Sequence, residues 1–298
     1  MFMNKKLSFL LIVLLFFLAG CKRQPADFQR ASFERIISLS PNLTETLHAL
    51  GQGDKIVAVS DYCFYPPEVN HKERIGGLLN PNLEKILLLK PDLLIGTPAH
   101  AELARKLQAY QIPFVLLPND GLNDVFFTID SLGRLLNCPG RAKQLLKTIK
   151  DSLSYYQALS RQIVKRAPGA ALIIGRDPGS VRHLTVVGPH TFLDSVWTFL
   201  GGKNIFSDLA VKYSQVGQES FLTRQPDLII EFKFKEQWSA RRDSLNKIEW
   251  QPLSKIPAVK HNQIYVLTGD YTLIPGPRVY ELARDYYRIL RQYAQKPF

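Results

Sequence analysis

The sequence predicts an α/β fold of two Rossmann-like lobes joined by one long rigid helix. Three observations predict it. One short segment occurs twice, once in each half of the chain. Strands alternate with helices on both sides of the middle. Between the two alternating regions lies a helical stretch too long to be a crossover within either.

The repeated segment comes first, because a self-match tells how many units a chain contains. Residues 82–95 and residues 217–230 each read as a short helix, a Pro stop and a buried strand. In each copy a capping residue, Asn82 or Gly217, stands two positions before a Glu, and Glu84 or Glu219 stands seven before Pro-Asp-Leu. Asn is a good N-cap because its side-chain oxygen accepts from a first-turn N–H, whereas Gly is a weaker cap. A first-turn Glu faces the positive end of the helix dipole. Pro91 and Pro226 end the helices. The aliphatic runs that follow suit strands covered on both faces.

In the first half, residues 35–39 predict a strand, with Ser40-Pro41-Asn42 as turn and cap. Residues 43–50 predict a helix ended at Gly51. A strand over 55–60 leads into Asp61-Tyr62-Cys63-Phe64-Tyr65-Pro66-Pro67, an aromatic loop that its two prolines keep out of regular structure. After the first repeat, helices over 101–110 and 122–136 flank a strand over 114–117. This alternation implies βαβ units on a parallel sheet.

The rhythm stops at Pro139-Gly140. Leu145, Leu146, Ile149, Leu153, Tyr156, Leu159 and Ile163 recur at helical steps among Lys and Arg. They predict a helix about 40 Å long, placed as a rigid spacer between the repeats. A second α/β region follows: a strand over 170–174, a turn at 176–180, an extended piece over 185–187 and a helix over 191–200. Beyond the second repeat come a helix over 239–246, a strand over 263–267 and a closing helix over 278–295. The expected divisions are a signal segment 1–20, a flexible stem 21–33, an N-terminal lobe 34–138, a linking helix 139–167 and a C-terminal lobe 168–298.

Of 298 residues, 46% are hydrophobic and 21% charged, which fits a globular protein. The net charge is +12, but Lys and Arg are spread along the chain, so no nucleic-acid footprint appears. Lys5 and Lys6 followed by apolar residues 7–18 make a targeting segment too short for a confident membrane span. Leu18-Ala19-Gly20-Cys21 then resembles a bacterial lipobox, which implies that Cys21 is acylated and anchors the mature chain to a membrane; the other reading is a plain secretory signal with a chance Cys. Cys63 and Cys138 are either a disulfide or two thiols.

The chain resembles the substrate-binding lipoproteins of ABC importers for cobalamin, ferric siderophores and haem, most of all the cobalamin branch. The resemblance spans about residues 35–293 and rests on residues 37–45, 60–67, 82–95, 201–206 and Gln215-Val216 with Glu219. It implies a ligand cleft between the lobes, lined by Tyr62, Phe64, Tyr65, Leu78, Arg176, Tyr213, Asp270 and Tyr271. It implies docking of Glu84 and Glu219 onto arginines of the importer's membrane subunits. The expected protein is a lipid-anchored periplasmic or cell-surface monomer with no cofactor and no nucleic-acid partner. Its ligand is a corrinoid or an iron chelate. Arg176, Arg182 and Arg278 are the cations that an anionic siderophore or haem propionates would meet.

Two other classes are weighed on their chemistry. Zinc or manganese capture wants several His with a carboxylate, yet the six His show no ligand spacing. An α/β enzyme would want a nucleophile elbow, a phosphate loop or a metal-ligand helix, and none is present.

Overall fold

Continuous aliphatic runs make the centre of each lobe. In the computed structural model, which describes residues 32–233 and 240–295, the first sheet has the order β3-β2-β1-β4-β5. Its strands are β1 Ile36–Ser38, β2 Ile56–Val59, β3 Glu73–Arg74, β4 Leu93–Gly96 and β5 Phe114–Leu116, all paired in parallel. The central strands β1 and β4 are buried along their whole length, as strands with helices on both faces must be. Helices Pro41–Ala49 and Leu83–Leu88 lie on the crossovers.

The second sheet runs β11-β10-β6-β7-β9, with β8 beside β6. Its strands are β6 Gly169–Gly175, β7 Leu184–Val187, β8 Lys203–Asn204, β9 Tyr213–Val216, β10 Leu228–Phe232 and β11 Ile264–Leu267. β10 pairs in parallel with β6 and β11, but β7 is antiparallel to both β6 and β9. This lobe is therefore mixed rather than wholly parallel. The connection over 176–183 is a turn about Gly179 (φ 75°), and it is shorter than the dozen or so residues that a parallel crossover needs.

The repeat is structural as well as textual. Each helix ends on a left-handed residue just before its Pro, Lys90 (φ 44°) or Gln225 (φ 48°). Each Pro-Asp-Leu aspartate then pins the start of the neighbouring strand. Asp92 accepts from the main-chain N–H of Glu34 and Arg35, at 2.7 and 2.9 Å. Asp227 accepts from the N–H of Gly169 at 2.8 Å. The motif was readable because an Asp there serves the same main-chain donors in both lobes.

The linking helix spans Pro139–Ile163, 25 residues or about 37 Å. It packs on helices Leu122–Leu135 and Val279–Ala294. Ile149 and Leu153 on its buried side join one hydrophobic cluster that holds Ile36 and Leu43 of the first lobe with Leu172 and Tyr286 of the second. The two sheets thus share a core across the helix. Cys63 and Cys138 are both free thiols. Among the described residues, no helix is long and apolar enough to cross a membrane. The targeting segment, Cys21, most of the stem, Trp238 and Ser239 lie outside the described residues.

Candidate functional site

In sheets wound in both directions, a crevice opens past the strand C-termini where the order reverses. In the first sheet that point lies between β1 and β4. The chain leaving β1 enters the helix that carries Glu45, and the chain leaving β4 turns at Thr97 and His100. In the second lobe, the chain past β11 carries Asp270, Tyr271 and Arg278.

Arg278 ties these two edges together. Its Nε donates to Glu45 Oε2 at 2.9 Å, its Nη2 to Glu45 Oε1 at 2.5 Å and its Nη1 to Asp270 Oδ1 at 2.8 Å. The guanidinium lies 3.7 Å from the ring centroid of Tyr65 and 5.7 Å from that of Tyr271. Three expected ligand residues, Tyr65, Asp270 and Tyr271, therefore surround one arginine. A second tie joins the lobes at Asp120, whose carbonyl accepts from the N–H of Phe192 at 2.7 Å. Its carboxylate pairs with Lys212 at 2.5 Å, next to Tyr213.

The aromatic loop is held from within. Cys63 is buried and accepts from the Thr44 hydroxyl at 3.2 Å. Arg74 Nη1 donates to the carbonyls of Ser60 and Cys63, at 2.9 and 2.6 Å, while its guanidinium lies over Phe64. With Cys63 fixed inward, the aromatics beside it face outward. Tyr62 is 56% exposed, Phe64 62% and Tyr65 40%. Rings held outward by a rigid loop suit a ligand with flat apolar faces. Tyr213 opens the edge strand β9 and is half-exposed; burial, helped by the charge of Asp120, pushes its phenol up. The Tyr271 hydroxyl donates to Asp285, and burial first, then Asp285, pushes its pKa up to about 12. Leu78 is half-buried in the turn beside Tyr62.

One reading is corrected. Arg176 faces inward, its side chain 3% exposed. It donates to Glu231 at 3.0 Å, to Glu249 at 2.5 Å and to Asn246. A guanidinium already bound on all sides is a core strut, not a ligand contact. Trp250 completes this knot by donating to Glu231 at 2.6 Å. His100, past the end of β4, is buried, with Nδ1 accepting from the N–H of Thr97 at 3.1 Å.

Glu84 and Glu219 are exposed in the first turns of helices Leu83–Leu88 and Gln218–Arg224. Asn82 caps the first by accepting from the N–H of Lys85 at 2.9 Å. At Gly217 a Cβ would lie 2.2 Å from Glu219 Oε1, so the missing side chain lets this carboxylate fold back over the helix end. Among the described residues, neither carboxylate forms an ion pair within the protein. No cluster of three His, Cys, Asp or Glu able to hold a metal occurs among them.

Sequence reasoning missed Glu45 as a partner of Arg278 and Asp120 as a partner of Lys212. The available signal was a carboxylate, Glu45, in a run over 42–47 that the structure buries throughout.

Comparison with known proteins adds five findings. A family model described as periplasmic binding protein matches residues 36–271. The Vitamin B12-binding protein of Vibrio cholerae is 31% identical over 82% of this chain and 84% of its own. An uncharacterized ABC transporter substrate-binding lipoprotein of Bacillus subtilis, YvrC, is 31% identical over 83% of this chain and 77% of its own. Among solved structures, the vitamin B12-binding protein BtuF of Vibrio cholerae superposes with a TM-score of 0.75 at 28% identity, over 89% of this chain and 99% of that one. The haem-binding protein RhuT of Roseiflexus, in its apo form, does so with 0.75 at 26%, over 88% and 99%.

Proposed function

We propose a function from one premise: the chain belongs to the periplasmic binding protein family. It is the substrate-binding component of an ABC importer, and its ligand is a corrinoid held between the lobes against Tyr62, Phe64, Tyr65 and Tyr213. One observation carries the choice of ligand. The cations at the crevice already have carboxylate partners: Arg278 has Glu45 and Asp270, and Lys212 has Asp120. A polyanionic iron chelate would have to displace those partners, whereas a corrin ring with amide side chains needs flat apolar surface and hydrogen-bond acceptors.

Two further roles belong to this reading. Glu84 and Glu219, exposed at matched helix ends, dock the two lobes onto basic groups of the importer's membrane subunits. Charges on a rigid body govern register and on-rate as much as affinity. Cys21 carries the lipid that holds the protein, a monomer, at the membrane. The relatives are binding proteins, and binding rather than catalysis is the activity proposed here.

The test is a spectrum of purified protein after incubation with cyanocobalamin, haemin or a ferric siderophore, followed by desalting. Retention of the cobalamin bands supports the proposal. Retention of haemin or the ferric siderophore alone overturns the choice of ligand.

A further inference from the structure

We infer that Glu45, a buried carboxylate, sets the charge class of ligand that the crevice accepts by occupying Arg278. The inference rests on the reading of the interlobe crevice as the ligand site.

Glu45 has 2% of its side chain exposed, and both its oxygens are engaged by Arg278. That pairing consumes two of the guanidinium's three nitrogens, and Asp270 takes the third. One face of the guanidinium is covered by Tyr65. Three of the five N–H donors of Arg278 are thus taken, and with only 8% of the residue exposed little of it is open to a ligand carboxylate. The local charge is one cation against two carboxylates, a net of −1. The excess charge sits on Asp270, whose side chain is 56% exposed. Its Oδ1 accepts both from Arg278 and from the N–H of Tyr271, at 2.8 and 3.0 Å, so Oδ2 is the oxygen left for a ligand. A carboxylate oxygen beside a paired guanidinium accepts from amide N–H groups and repels carboxylates. Removing the Glu45 charge would free Arg278 to pair with an anionic ligand. Glu45 is therefore a positioning residue with an effect on specificity.

The experiment titrates wild type, Glu45→Gln and Asp270→Asn with two versions of one macrocycle. Dicyanocobinamide carries neutral amides; its hydrolysed counterpart carries carboxylates on the same ring. Wild type should prefer the amide form, and Glu45→Gln should narrow that preference about tenfold, the effect of one charge at this range. Asp270→Asn, at an exposed side chain whose loss the fold tolerates, should narrow it in the same direction and decides the matter should Glu45→Gln not fold. A purely structural role for Glu45 would weaken both ligands together and leave their ratio unchanged. An unchanged ratio in both variants overturns the inference. If wild type binds neither macrocycle, the ligand reading itself is wrong.

Discussion

Arg278 grips Glu45 at two points, with Nε and Nη2 donating to the two carboxylate oxygens at 2.9 and 2.5 Å across 233 residues of chain. One residue opens the closing helix of the second lobe, and the other lies on the first helix of the first lobe. Both are buried. Removing one partner of such a pair leaves a buried charge uncompensated. Arg278→Met should therefore destabilise by about 3–5 kcal/mol, and adding Glu45→Gln should recover part of that loss. Urea denaturation of both single variants and the double variant checks this. Additive losses would mean that the two side chains are not coupled.

The other interlobe tie should behave differently. Lys212 and Asp120 are nearly half-exposed, at 45% and 47% of their side chains. Solvent and salt screen a pair of this kind, so Lys212→Ala should cost no more than about 1 kcal/mol, and less at high salt. A loss as large as that for Arg278→Met, insensitive to salt, would contradict the distinction drawn between the two ties.

Acid should act through Glu231. Burial works to raise its carboxyl, but Arg176 and Lys233, with Trp250 donating, outweigh burial and hold it below the usual value of 4.5. A depressed folded-state value means that the unfolded chain binds the proton more readily. The stabilisation is fully present above pH 4.5 and is lost as pH falls through the lower folded-state value. Melting temperature should therefore hold down to about pH 4.5 and fall as the pH drops further through the folded-state value. Glu231→Gln should start lower and decline less steeply over the same window. Parallel curves for the two proteins would show that another carboxylate governs acid unfolding.

Docking should be separable from capture. Glu84→Arg with Glu219→Arg changes two exposed residues outside the crevice network. Ligand affinity of the purified double variant should match wild type, while uptake by cells that depend on this importer should fail. A variant that binds poorly would place these carboxylates in the ligand site instead.

The parts of the fold that showed in the sequence are those with local causes. Asn82 with Pro91-Asp92 and Gly217 with Pro226-Asp227 announced matched helix ends, because caps, prolines and strand-pinning aspartates act within a few residues. The linking helix showed because its apolar positions recur at helical steps. Strands β3 and β8 are two residues each, too short for any periodicity. The antiparallel placement of β9 depends on Val187 and Leu184 of a distant strand. Arg176 was misjudged for the same reason. Its turn is visible locally, but Glu231, Asn246 and Glu249 arrive from 55 to 73 residues away. The outward aromatics Tyr62 and Phe64 were legible, because two adjacent prolines bar that loop from regular structure.

The claim that the ligand sits between the aromatic loop and β9 is tested most directly by comparing three truncations in one corrinoid titration. Tyr62→Ala and Tyr213→Ala should each weaken binding about tenfold or more, the scale of losing one stacked ring. Tyr155→Ala, at a more exposed ring on the linking helix, should leave affinity unchanged. Full affinity in both crevice variants, or a loss confined to Tyr155→Ala, would contradict the account.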